Sequence, residues 1–142
     1  MYATAADLEA RMQRYLIANL SGSEDGAPVA VRVDQALADA AAEIDSYLAA
    51  RFAVPITPVP SVLIRLACDI ALYRLFEAAR DEDVKDARKR YEDAIKWLAG
   101  VAAGDLSLDA PEKKPAAEGE GSSDGAAIAL RPAIFAGNWG GF

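Results

Sequence analysis

Three charged side chains precede Glu77 in the otherwise apolar stretch of residues 61–79, SVLIRLACDIALYRLFEAA. Arg65 and Asp69 are four residues apart, so on a helix they are spaced to form an ion pair. Arg74 lies about 180° around the helix from Arg65, since each residue turns it by roughly 100°. The pair is either an ordinary intrahelical pair at the edge of a bundle or a buried pair that specifies a subunit contact. We name Arg65, Asp69 and Arg74 as candidate subunit-interface residues, because one core cannot hide all three charges.

The thiol of Cys68 and the many carboxylates are the other groups able to carry a reaction. A nucleophilic cysteine needs a neighbouring base or cation to lower its pKa. The chain has no histidine, so Cys68 is predicted to pack in the core. The 22 Asp and Glu residues fall mostly on polar helix faces, which favours solvated surface over a two-carboxylate hydrolase. With no phosphate-binding or dinucleotide motif in the sequence, we expect no enzyme, catalytic residues, cofactor or metal site.

The formal net charge of −7 argues against a protein that holds nucleic acid by neutralising phosphates. It does not exclude a protein that DNA passes without being bound. A lone cysteine fits a reducing compartment, and the opening MYATAADLEARM lacks the basic start and apolar run of a signal peptide. The three charges in the apolar stretch argue against a membrane span. We expect synthesis in the cytoplasm and no membrane partner.

Apolar residues on nearly every side predict that Ser61–Ala79 is the buried central helix of a helical domain. Two further helices each offer one apolar face to cover it. Asp34 is the predicted N-cap of the second helix, which should end near Phe52 because the following Val54-Pro55 disfavours helical geometry. The fourth helix is predicted to end before Gly104. The apolar faces consist of Leu37, Ala41, Ile44, Leu48 and Phe52 in the second helix, and of Val84, Ala87, Tyr91, Ala94, Leu98 and Val101 in the fourth.

The remaining N-terminal part completes an all-α fold. After a short extended lead (residues 2–3), a first helix capped by Thr4 is expected to reach about Leu20, with a break near Gln13. Residues 53–61, AVPITPVPS, carry three prolines and are predicted to form a stiff, extended connector. The last of these residues is the expected N-cap of the central helix. The predicted fold is a small four-helix bundle with a long, extended C-terminal tail.

Composition divides the chain into three parts: a helical domain (1–104), a flexible acidic linker (105–127) and a C-terminal docking segment (128–142). The linker is rich in Pro, Glu, Gly and Ser, which cannot bury enough apolar surface to fold. Large apolar residues then return, and they favour docking on a neighbouring subunit or partner over a free tail or one folded back on its own bundle. The predicted partner-binding residues are Ile128, Leu130, Ile134, Phe135, Trp139 and Phe142.

Several segments, in order, resemble one known protein family. They read MYATAADLEARM, ALADAAAEIDSYLAARF, AVPITPVPSVL, RLACDIALYRL and RYEDAIKWLAGVAAGDLSL, and the chain finishes in Gly141-Phe142. The series is similar to the Mu-like phage and prophage family of small head–tail neck proteins. The resemblance covers most of residues 1–108 and, more loosely, the last dozen. The chain departs from the family pattern at residues 21–33 and 109–126.

The resemblance implies an all-helical adaptor that forms a ring, usually of twelve copies, under the portal of a long-tailed phage capsid. The implied partners are further copies of the chain, the portal protein and a head-closure or tail-terminator protein. Genomic DNA would pass along the axis without sequence-specific binding. The implied location is the virion neck, at the head–tail junction, after synthesis in the host cytoplasm. The alternative is a small cytoplasmic helical regulator or protein-binding module, monomeric or dimeric.

Overall fold

The computed structural model describes residues 1–82 and 84–114. In these ranges the regular elements are five α-helices, without a named strand, and none of these helices is long and apolar enough to cross a membrane. In chain order they are α1 (Ala5–Glu9), α2 (Arg14–Leu20), α3 (Ala30–Leu48), α4 (Ser61–Ala79) and α5 (Val84–Ala103). The predicted all-α, bundle-like class is confirmed, with the first predicted helix divided into α1 and α2.

The helix α4 lies at the centre of the bundle. It packs chiefly against α3 and α5, while α1 and α2 cover further parts of its surface. The helix α4 has the predicted bounds. All five residues of the apolar face predicted for the second helix are buried. Each fully buried leucine or isoleucine contributes about 1.5–3 kcal/mol of transfer free energy. The buried residues of α4 are Leu63, Leu66, Ala67, Cys68, Ile70, Ala71, Leu72, Leu75 and Phe76.

The N-terminal turn is fixed by a capping box. The Thr4 hydroxyl accepts a hydrogen bond from the Asp7 N–H at 3.3 Å, and the Thr4 N–H donates to the Asp7 carboxylate at 2.8 Å. The hydrogen bonds from Thr4 hold the pKa of Asp7 below its ordinary value. Gln13 has an extended backbone conformation and is the N-cap of α2. The predicted cap and the predicted break are both confirmed.

The second predicted helix begins earlier than expected. The helix α3 starts at Ala30, so the prediction that Asp34 caps it is wrong. The N-cap is Val29, whose N–H donates to the Ser21 hydroxyl at 2.9 Å. Arg32 also donates to the Ser21 carbonyl oxygen, at 2.9 Å. Ser21 lies eight residues before Val29 and ties the start of α3 to the preceding loop, although no side chain caps the helix.

The proline connector is free of helix, as predicted, but residues 53–60 bend where the sequence predicted an extended segment. The bend brings Ile56 into the core, where 3 % of its surface is exposed. Two of the peptide bonds that precede proline are cis. The N-cap of α4 is Pro60, without a side-chain cap hydrogen bond, and not Ser61, which is the first residue of the helix. Phe52, one turn after the end of α3, is buried as predicted.

The helix α5 ends at Ala103, and Gly104 follows with a φ of +91°, a conformation that glycine adopts at little cost. Residues 105–114, the first part of the predicted linker, lie against the helical body. Leu108 is buried there, and Glu112 forms an isolated antiparallel bridge with Phe52. The rest of the predicted linker and the whole of the docking segment lie outside the described residues.

Candidate assembly surfaces

Arg65 and Asp69 form the predicted pair on the surface of α4. The Arg65 guanidinium donates to the Asp69 carboxylate at 3.4 Å, with 51 % and 14 % of the two side chains exposed. Burial raises the pKa of Asp69 above its ordinary value, although Arg65, Arg90 and Arg11 oppose this by favouring the charged form. The structure therefore shows an intrahelical pair at the edge of the bundle, with Arg65 accessible to a neighbour.

Arg74 lies on another side of α4 and pairs with a different carboxylate. Its guanidinium donates to the Glu43 carboxylate of α3 at 2.6 Å. The Tyr91 hydroxyl of α5 donates to the other oxygen of the same carboxylate at 2.7 Å. The hydrogen bond to Glu43, together with burial, raises the pKa of Tyr91 to about 12. The charge of Arg74 is therefore met within the chain, where Glu43 ties three helices together.

The role of Glu43 is not predictable from the sequence. Its place off the apolar face of the second helix suggested a solvated side chain, but 17 % of that side chain is exposed. Its partners lie 31 and 48 residues further along the chain. Tyr91 also stacks on Tyr73 of α4, with 4.4 Å between the ring centroids. No local pattern identifies a carboxylate whose partners come from two other helices.

Residues 105–114 are held at the C-terminal end of α3. Arg51 forms an ion pair with Glu112, and it donates to the Val101 carbonyl oxygen of α5. The Lys113 ammonium donates to the Ala49 carbonyl oxygen at 2.7 Å, where a cation stabilises the end of a helix. The backbone N–H of Lys113 donates to the Arg51 carbonyl oxygen, also at 2.7 Å. The chain therefore leaves the described body next to the end of α3.

An apolar groove lies on the outer side of α5, close to this point of departure. We call it the α5 groove. Its volume is about 610 Å³, and Asp93, Lys96 and Asp105 border it. Leu106 is 41 % exposed at its edge, one of four large hydrophobic residues exposed among the described residues. The apolar lining is formed by Trp97, Ala99, Gly100, Ala103 and Leu106.

A family model described as Bacteriophage Mu, Gp36 matches residues 2–126. The chain belongs to this Gp36 family. It is similar to gene product J of Escherichia phage Mu, with 38 % identity over 143 residues that cover 99 % of this chain and 98 % of the relative. It is also similar to the Mu-like prophage FluMu protein gp36 of Haemophilus influenzae, with 44 % identity over 89 residues, 63 % of this chain and 61 % of the relative. The predicted resemblance to a Mu-like phage family is confirmed.

The match to the Gp36 family model includes all described residues except Met1, and it extends further into the predicted linker. The six predicted partner-binding residues of the docking segment lie outside the described residues. In the part that is described, Cys68 is fully buried, as predicted, and burial raises the pKa of its thiol to about 11. No group of three or more His, Cys, Asp or Glu residues there is placed to hold a metal ion.

Proposed function

We propose that this chain is a structural adaptor of the phage neck. Twelve copies form a ring below the portal, join the capsid to the tail and let DNA pass through the centre. The observation that carries the proposal is membership of the Gp36 family, together with a likeness to gene product J of phage Mu along nearly the whole chain. The role is structural, with no reaction and no cofactor.

The partners in this proposal are other copies of the chain, the portal protein on one side and a head-closure or tail-terminator protein on the other. The docking segment 128–142 supplies large apolar residues for one of these contacts. The surface around Arg65 and Asp69 contributes to contacts between copies, since Arg65 is half exposed. Arg74 has 37 % of its side chain exposed and contributes from the other side of α4, while it also holds Glu43 of its own chain.

The charge of the chain supports passage of DNA through the ring. Each copy carries a formal charge of −7, so twelve copies carry −84. Negative potential at the inner surface repels the phosphates and keeps the duplex from binding to the wall. The protein therefore meets genomic DNA without sequence-specific recognition, and it is located at the head–tail junction of the virion.

Mass measurement tests the proposal. Twelve chains of 15.0 kDa each would have a mass of about 180 kDa. We expect light scattering to find this species for the purified chain alone or after addition of its portal protein, and negative-stain images to show rings. A chain that stays monomeric or dimeric in both cases, and never binds portal or capsid, contradicts the proposal and favours the helical regulator.

A further inference from the structure

We propose that the α5 groove is the receiving site for the docking segment 128–142 of a neighbouring copy. The inference rests on the proposed ring, because it assigns the contact that links one copy to the next. The occupant is a segment of this same chain. The receiving surface is formed by Trp97, Ala99, Gly100, Ala103 and Leu106.

The shape of the groove depends on Gly100 and Leu106. A Cβ atom at residue 100 would lie 2.9 Å from Leu106 Cδ1, closer than such atoms approach, so a larger residue here would push the Leu106 side chain away from its place across α5. The backbone N–H groups of Asp105 and Leu106 both donate to the Gly100 carbonyl oxygen, at 2.9 and 3.2 Å. An exposed leucine held beside a half-buried tryptophan forms one wall of a site for apolar side chains.

The composition of the docking segment fits this lining. It carries six large apolar residues and one charged side chain, Arg131. The border of the groove has two carboxylates, Asp93 and Asp105, against one cation, Lys96. The charges are therefore complementary. A second groove of similar size, between α2, α3 and α4, carries two arginines against one carboxylate, the opposite balance.

The reach of the linker also fits. The described chain leaves the body at Lys114, and thirteen residues, 115–127, separate this point from the docking segment. Fully extended, they span roughly 43 Å at about 3.3 Å per residue. A compact domain of about 110 residues has a diameter near 34 Å, from a radius of gyration of about 13 Å. The segment can therefore reach the body of an adjacent copy.

The arrangement is compatible with a ring of copies. A groove and a segment on different parts of one chain form a heterologous contact, in which each copy gives one surface and receives the other. Such contacts form a ring where the rotation between copies closes, and an open filament where it does not. In either case the segment links adjacent bodies.

Disulfide trapping tests the inference in the full chain. Ala103→Cys places a thiol in the groove and Ala136→Cys places one in the segment, while the fully buried Cys68 takes no part. Under mild oxidation we expect disulfide-linked dimers and longer chains. The matched control combines Ala136→Cys with Ala78→Cys, an exposed alanine in the second groove. The yield should exceed that of the control at least about tenfold, since docking raises the effective concentration of the two thiols.

Equal yields in the two pairs, or no cross-link, overturn the inference, and a product linked only within one chain overturns exchange between copies. Ala103→Arg gives a second measurement. Residue 103 is exposed in the last turn of α5, where arginine is compatible with the helix. We expect this variant to keep its circular dichroism and to lose as much oligomer as deletion of residues 128–142.

The failures of the two proposals are distinguishable. If rings form and bind portal, but neither the cross-linking nor the Ala103→Arg variant shows a role for the groove, only the docking inference is contradicted. If the groove traps the segment between copies but the assembly never binds portal or capsid, the neck function falls and the docking inference stands.

Discussion

At the scale of single residues, Tyr2 ties three parts of the chain together. Its hydroxyl donates to the Asp45 carboxylate of α3 and accepts a hydrogen bond from the Ile56 N–H of the connector at 3.1 Å. Burial, together with the bond to Asp45, raises the pKa of Tyr2 to about 12. The sequence predicted only an extended lead here, because neither a lone tyrosine nor its distant partners form a local pattern. The role of Glu43 could not be predicted either, because its partners are also distant in the sequence.

Alkaline titration should reveal this contact. The folded pKa of Tyr2, about 12, exceeds the ordinary value of 10.0, so its stabilising contribution is present below pH 10 and is lost as the pH rises through 12. We expect Tyr2→Phe to cost about 1–3 kcal/mol at pH 7, because it leaves the Ile56 N–H unpaired. The difference from wild type should shrink by roughly 1–2 kcal/mol between pH 10 and 12. Urea unfolding at each pH measures it.

Tyr15→Phe is the matched control, because Tyr15 is 62 % exposed. It should leave the stability within about 0.5 kcal/mol of wild type. A Tyr2→Phe variant whose difference from wild type is the same at pH 7, 10 and 12 would show that the Tyr2 proton is not bound more tightly in the folded chain.

At the scale of elements, the prediction was most accurate where burial alone determines structure. The bounds of α4 follow from apolar residues on nearly every side, and the faces on α3 and α5 follow from their spacing. Helix starts were less predictable. Ser21 supplies the partner at the start of α3 from the preceding loop, and Pro60 precedes α4 without any side-chain cap. A hydrogen bond from a distant residue is tertiary structure, so a local sequence pattern cannot indicate it.

Truncation of Leu66 tests the central place of α4. Its side chain is fully buried, so Leu66→Ala should lower the free energy of unfolding by about 2–5 kcal/mol. Val31→Ala, at a position that is 78 % exposed on α3, is the control and should change it by less than about 0.5 kcal/mol. Thermal unfolding followed by circular dichroism measures both. An unchanged midpoint in Leu66→Ala would mean that α4 is not the core of the folded chain.

At the scale of the whole molecule, the fold class and the phage family could be predicted, because both depend on the order of segments along the chain. The attachment of residues 105–114 to α3 could not, since composition alone suggested a linker from residue 105. There Arg51 pairs with Glu112, and Lys113 caps the end of the helix. The α5 groove likewise depends on the close approach of Leu106 to Gly100, which only the folded backbone reveals.

Deletion of residues 128–142 should separate folding from assembly. The five helices and the buried core lie in residues 1–82 and 84–114, so the circular dichroism of the truncated chain should match that of the full chain. Its oligomeric mass and its binding to portal should both decrease. A truncated chain that assembles as well as the full chain would show that the docking segment is not needed for assembly.

Disruption of the gene in the phage or prophage that carries it tests the central claim most directly. Electron microscopy of the lysate should show DNA-filled heads and separate tails in place of joined virions. Addition of the purified full chain should restore joining. Intact, infectious virions formed without the protein would contradict the proposal that it joins head to tail.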